Sequence, residues 1–307
     1  MTNITLPPLV ALLLIPGGLF LMAGGLVYEY ADRKLVAQFQ NRVGPRWFQP
    51  LADIVKLLAK EEVVPDGVNP VLFHGLPIIA LVGTLTAALY VPMAGLAPSY
   101  SFTGDLIVTL YLLSLMTMCM GLAGANTIDR FALVGATRAL TQLFSYEAPF
   151  LLALLGPAIA ANTWQIREIN AWAGASWWVV LTQPIGFLVA IVGLMGKLEL
   201  PPFDSPEAET EIVAGPMTEY SGRGWALFRI GRDVELFVGL TLVATFYLGG
   251  IANPLEFVLK TGVLLLLTAA LQALFARLRI DQTVGLWWRV GILLALGQLL
   301  LLAFVRG

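Results

Sequence analysis

Cysteine and histidine are almost absent from this chain of 307 residues: Cys119 and His74 are the single examples of each. That scarcity excludes a cysteine-ligated iron–sulfur cluster, or a Cys/His zinc site, built from this chain alone. Charge is sparse as well. Asp, Glu, Lys and Arg supply 12% of the residues against 58% hydrophobic, with a mean hydropathy of +0.81. Such a balance places the chain among polytopic membrane proteins. The first 30 residues lack a basic segment and a small-residue cleavage site, so they read as a retained span rather than a removable signal. Cys119, inside an apolar run, reads as a small buried side chain, and His74 as an interfacial residue. The two halves show no matched repeat, which leaves a self-contained transporter as a remote alternative.

A spanning helix needs ~20 mainly apolar residues to cross ~30 Å of hydrocarbon. Uncharged stretches run 1–28, 75–104, 106–128, 148–166, 169–196, 236–255, 261–276 and 290–305. They predict an all-α integral membrane domain over 1–307 with about eight transmembrane helices. With eight spans, 15 of the 18 basic residues fall on one side and three on the other. The positive-inside rule makes the crowded side cytoplasmic, with both termini outside the cell membrane. Seventeen of the 20 acids fall on or border that side too. Dense charge of both signs suggests a face that docks another protein and holds a hydrated polar cavity.

Two cytoplasmic segments stand out, 32–66 and 197–235. In the first, Gly44-Pro45 forces a turn. Leu51, Ile54, Val55 and Leu58 then recur at helical spacing, opposite Asp53, Lys56 and Lys60. That is an amphipathic helix, lying on the membrane or rimming an opening. Further on, Arg130, Arg138, Gln142 and Tyr146 share one helical stripe that runs into the fourth span. Such a stripe must face protein or water, and Glu147 follows it just inside the membrane.

The segment 197–235 is the richest. Pro201, Pro202 and Pro206 forbid a regular helix there. Glu207, Glu209 and Glu211 follow at intervals of two, and Gly215-Pro216 makes a break. A polar turn holds Glu219 and Arg223, and Arg232, Asp233 and Glu235 close the region. Ile212, Val213, Met217, Trp225, Leu227 and Phe228 intersperse these charges and imply partial burial. Clustered, partly buried carboxylates raise each other's pKa and can share protons. Carboxylates recurring between apolar runs suggest a path for protons or charge.

Several ordered motifs carry a resemblance that covers nearly the whole chain. They are Asp-Arg-Lys at 32–34, Gln-x-Arg-x-Gly-Pro at 40–45 and Gln-Pro-x-Ala-Asp-x-x-Lys-Leu at 49–57. Ala-Leu-Val-Gly-Ala-Thr-Arg-Ala and Gln-x-x-Ser-Tyr-Glu follow within 132–147. Pro-Phe-Asp-x-x-Glu-Ala-Glu-x-Glu-Ile-Val-x-Gly occupies 202–215, then Glu-Tyr-Ser 219–221 and Arg-x-Asp-Gln 279–282. With these, the chain resembles the complex I subunit that joins the peripheral arm to the membrane arm. The same family includes the equivalent subunits of membrane-bound energy-converting hydrogenases and formate hydrogenlyases.

The resemblance implies a membrane anchor and coupling subunit of a redox-driven proton or sodium pump. Its charged path would run through Glu147, Asp204, Glu207, Glu209, Glu211, Glu219, Asp233 and Glu235. The cavity or docking face would hold Arg33, Arg42, Lys56, Arg130, Arg138, Gln142, Tyr146, Arg223, Arg232, Arg279 and Asp281. No cofactor or metal is expected in this chain. Iron–sulfur clusters and a nickel–iron centre belong to partners, a hydrogenase-like large subunit and an iron–sulfur small subunit at the cytoplasmic face. Antiporter-like and small membrane subunits would sit laterally among lipid, and no nucleic-acid partner is expected.

The chain departs from the family's quinone-reducing members at two places. They typically read Glu-Thr-Asn-Arg where this sequence has Lys197, Leu198, Glu199 and Leu200, and Ala-Glu-Tyr where it has Gly231, Arg232 and Asp233. Losing the arginine removes a planar donor fork near a quinone site. These departures favour the hydrogenase-type branch, with the wall of a quinone chamber as the alternative.

Overall fold

The computed structural model describes residues 13–14, 17–176 and 179–306, and among them there is no strand. Helix α1 covers Gly18–Phe39, and the expected amphipathic helix is α2, Gln49–Ala59. Then come α3 (Pro70–Ala88), α4 (Asp105–Asn126), α5 (Arg130–Ala161) and α6 (Ile166–Ala175). Helices α7 (Pro184–Lys197), α8 (Gly222–Tyr247) and α9 (Pro254–Leu274) follow. The last pair, α10 (Ile280–Leu286) and α11 (Ile292–Arg306), is joined through a π turn at Trp287–Gly291.

Among the described residues, five helical stretches are long and apolar enough to cross a membrane: α3, α4, α5, α9 and the run Ile280–Phe304. The other expected spans fall on α1, α7 and the apolar half of α8, which are shorter or interrupted by charge; residues 1–12 of the first lie outside the described residues. Three boundaries differ from the hydropathy pattern. The stretch 75–104 is helical only to Ala88, because Pro92, Pro98 and the positive-φ pair Ala94-Gly95 end it. The stretch 169–196 is not one helix: α6 stops at Ala175, a single turn covers Val179–Thr182, and α7 restarts at Pro184. Helices α5 and α8 start well before their apolar runs, at Arg130 and Gly222, so their polar residues ride on the same rods as their spans.

Helix α8 is the axis of the molecule. It packs against α1, α2, α3, α6, α7 and α9, and every residue from Asp233 to Tyr247 is buried. A helix buried on all sides must be apolar or find a partner for each polar group. The Tyr247 hydroxyl does so by donating to the Ala153 carbonyl at 2.6 Å. Phe237 packs edge-on against Tyr28 and Phe257, with ring centroids 4.7 and 5.5 Å away. Glycine lets α1 come this close: a Cβ on Gly25 would stand 2.8 Å from the Asp233 carbonyl carbon. At the far end of the molecule, buried Asp105 ties α4 to α6 by accepting from the Ile166 amide at 2.8 Å. Asp129 caps α5, accepting from the Ala132 amide.

The segment 198–221 is a folded loop, with one helical turn at Glu209–Ile212, a 3-10 turn at Gly215–Met217 and a cis Pro201-Pro202 bond. Its anchor is Gln142, fully buried on α5. The Gln142 amide donates to the Gly196 carbonyl at 2.9 Å and to the Phe203 carbonyl at 2.8 Å. Phe203 then packs on Trp287, which is turned inward from the π turn, with centroids 5.5 Å apart.

Gln142→Ala therefore strands the buried Phe203 carbonyl and leaves the Gly196 carbonyl only its helix-end amide bonds, at a cost of roughly 1–3 kcal/mol. Thermal unfolding in mild detergent should show a midpoint lowered by a few degrees. The neighbouring exposed Thr141→Ala should leave it in place. An unmoved midpoint in Gln142→Ala would show that the loop is anchored elsewhere.

Candidate functional site: a charged crevice

Where α1, α8 and the loop meet, the protein leaves a crevice of about 310 Å³. Helix α1 contributes Glu29, Asp32 and Arg33, the loop Leu198, Leu200, Glu207 and Glu209, and α8 Trp225, Arg229, Arg232, Asp233 and Leu236. Its mouth is a cluster of two arginines and two acids. Arg33 lies 2.5 Å from Glu29 and 3.7 Å from Asp53, while Arg229 lies 3.8 Å from Glu29 and 3.7 Å from Asp53. Asp53 belongs to α2, so these pairs fasten the amphipathic helix to the rim. The protein-facing side of α2 is Pro50, Asp53 and Ile54, whereas Leu51, Val55 and Leu58 stay exposed. An apolar strip left open in this way suits the surface of a bilayer.

Deeper in, Arg232 reaches Glu207 in a close ion pair and stands 4.0 Å from Glu199. Neither oxygen of Glu199 has a hydrogen-bond partner among the described residues, nor has Asp233 Oδ2. Burial pushes the Glu199 carboxyl up from 4.5 to about 7; Arg232 pulls it down, Glu207 and Glu235 push it further up, and Lys197 pulls it down. Behind Glu199 lies a buried ion pair, Lys197 of α7 with Glu235 of α8 at 3.3 Å, each side chain 2% exposed. Asp32, on the α1 wall, accepts from Gln272 of α9 at 2.9 Å.

The structure brings together Arg33, Glu207, Glu209, Arg232 and Asp233 in this crevice, with Glu235 beside it. The three loop glutamates do not form one cluster. Glu211 points outward to Arg138 at 2.8 Å, and Asp204 takes both arms of Arg277, at 2.9 and 2.5 Å. These acids staple the loop. Glu147 lines a separate small cavity with Tyr146, Ser114 and Lys197. Glu219 is half-buried before α8, and Arg42, Lys56, Arg130 and Arg223 are exposed. Arg279 and Asp281 face each other at 3.9 Å, 79% and 71% exposed. Among the described residues no three His, Cys, Asp or Glu side chains stand together as metal ligands.

Glu29, Asp32, Asp53, Arg229 and Lys197 are essential to this geometry and escape a reading of charge pattern. Glu29 and Asp32 follow an apolar run and look like the start of a loop, yet α1 continues to Phe39 and turns both inward. Their i, i+3 spacing is the one available signal.

In the folded protein Glu199 holds a proton that the unfolded chain releases between about 4.5 and 7. Its contribution to stability consequently falls as pH rises through that window. Difference infrared spectra of the assembled complex should show a buried protonated carboxyl that titrates near 7 and vanishes in Glu199→Gln. Arg232→Gln, which removes the main opposing charge, should shift that midpoint upward. A carboxyl band indifferent to both substitutions would assign the titration to another group.

A sequence profile of the NADH dehydrogenase family matches residues 10–303. The chain is 32% identical over 301 residues to an NADH-quinone oxidoreductase subunit of Carboxydothermus hydrogenoformans, covering 93% of this chain and 85% of that one. It is 30% identical over 305 residues to the corresponding NADH-quinone oxidoreductase subunit of Bacillus thuringiensis, covering 94% and 91%. Among solved structures, it superposes on a chain of the membrane-bound sulfane sulfur reductase, an archaeal respiratory membrane complex. The TM-score is 0.86 at 24% identity, over 92% of this chain and 96% of that one. That superposition fixes the fold, and the match along nearly its whole length shows that the chain belongs to the NADH dehydrogenase family of complex I-like membrane subunits.

Proposed function

We propose that this chain is the membrane anchor and coupling subunit of a redox-driven ion pump of the hydrogenase-related kind. The observation that carries the reading is the run of ionisable groups from the crevice toward the lateral face. It passes from Glu207 and Arg232 to Glu199, then to the Glu235–Lys197 pair, beyond which Glu147 stands. Buried acids in such a series are the usual material of proton relays. The chain itself carries no redox group in this reading. Electrons stay in a hydrogenase-like large subunit and an iron–sulfur small subunit at the cytoplasmic face, which would hold the clusters and a nickel–iron centre. Antiporter-like and small membrane subunits would receive the charge laterally, beyond Glu147. Glu209, Glu219 and Arg223 then belong to the docking surface around the crevice mouth.

The hydrogenase branch is supported by what fills the crevice. Arg232 and Glu199 occupy two of the positions that differ from quinone-reducing relatives, and the Arg232 guanidinium is taken up by Glu207, with Glu199 4.0 Å away, rather than presented as a free donor fork. A second reading, the wall of a quinone chamber, draws on the relatives named as NADH-quinone oxidoreductase subunits. Co-purification in mild detergent separates the two: a nickel-bearing partner selects the first, quinone-dependent turnover the second.

Glu147→Gln removes the protonatable group at the lateral end. In the intact complex reconstituted into vesicles, proton uptake should fall about tenfold or more, while Glu147→Asp should retain part of it. Native uptake in Glu147→Gln would remove Glu147 from the route.

A further inference from the structure

Lys197 is a buried cation in the middle of an otherwise acidic series. It closes α7 and aims its ammonium at Glu235 of α8, 3.3 Å away. Ser114 Oγ of α4 lies 3.5 Å from the same nitrogen, and the Tyr146 ring of α5 lies 5.9 Å from it. Four helices therefore converge on one amine. On its outer side Lys197 helps wall the lateral cavity that also contains Glu147. That cavity measures about 10 Å³, the lower limit for holding one water molecule. Glu235, one residue before the crevice-lining Leu236, and Glu147 are thus separated by an ammonium group and room for one water.

Lys197 touches Glu235 on one side and the cavity that holds Glu147 on the other. A metal cation would meet a buried positive charge, where like-charge repulsion is weakly screened. A proton can instead be carried by the amine. We infer that Lys197 is the proton-carrying link between the crevice and the lateral face, and that this route is closed to sodium and other metal cations. The inference rests on the route proposed above and names the ion that it transmits.

The transfer balances in two steps. First an N–H bond of Lys197 breaks and an O–H bond forms on Glu147, directly or through the single water. The amine is then neutral and no longer holds Glu235 ionised. Next a proton from the crevice, handed by Glu199 to Glu235, passes to the amine and restores the ion pair. One proton has crossed and every group is back in its starting form once Glu147 passes its proton on and Glu199 is reprotonated from the crevice.

The test uses the intact complex in sealed vesicles, turned over with its own electron donor, with acidification followed by a pH-sensitive dye. Lys197→Arg keeps a charge opposite Glu235, but a guanidinium cannot release its proton. The initial rate of proton uptake per assembled complex should fall about tenfold or more. The paired substitution Lys197→Met with Glu235→Leu exchanges the ion pair for apolar groups, a replacement that folds usually tolerate, and should show the same loss. Native acidification by either assembled variant overturns the inference. If that result accompanied a loss in Glu147→Gln, the route would stand without Lys197; native uptake in Glu147→Gln as well would overturn the route itself.

Discussion

Helix α8 carries Arg232, Asp233 and Glu235 at the point where it enters the packed interior, and the rest of the structure is arranged around neutralising them. Counter-charges arrive from two directions: Lys197 from the end of α7, and Glu199 and Glu207 from the loop that follows it. An isolated charge in such a place would cost several kcal/mol. The loop must therefore fold back under α8 rather than project from the membrane surface. The Gln142 bonds to Gly196 and Phe203 fix the turn that makes this return possible.

The ion pairs of this chain fall into two physical kinds. Arg138–Glu211 and Arg277–Asp204 lie at the surface, and pairs of that sort contribute ~0–1 kcal/mol. They position the loop without dominating its energy. Lys197–Glu235 is sealed, and a sealed pair is a weak stabiliser because desolvation consumes most of the Coulomb gain. An apolar pair of similar volume would serve the packing as well. Its presence is better explained by what charged groups do than by what holds helices together. Among the described residues both Glu199 oxygens and Asp233 Oδ2 lack a hydrogen-bond partner, which points the same way, since a structure built only for stability would satisfy or delete them.

Much of the architecture is legible from hydropathy because long apolar runs have few alternatives. Runs in α4 and α11 lie close to their expected limits, whereas α9 starts earlier, at Pro254, and a short helix precedes α11 from Ile280. The limits that differ have local causes: Pro92, Ala94-Gly95 and Pro98 cut one run, and Pro184 splits another. Charge position is harder to read. Glu207, Glu209 and Glu211 look equivalent at intervals of two, but the loop's irregular backbone sends Glu207 inward and Glu211 outward. Glu29 and Asp32 look like the first residues of a loop because nothing local says that α1 continues past its apolar run. Tertiary contact with Arg229 and Gln272 decides their direction, and no window of sequence contains that information.

The crevice and the lateral cavity do not merge into one water-filled tube. About 310 Å³ of space lies on one side of the Lys197–Glu235 pair and about 10 Å³ on the other. A continuous wire would let protons run down their gradient without doing work. A route interrupted by an ion pair conducts only when the pair is disturbed, and Glu199, within reach of both Arg232 and Glu207, places its own charge next to that pair. A change of charge at the crevice, imposed from outside by a redox partner, would alter Glu199 first and the pair second. Coupling of that form needs two arrangements with different proton affinities. A buried pair flanked by a carboxyl that burial pushes up to about 7 is a physical element that can supply them.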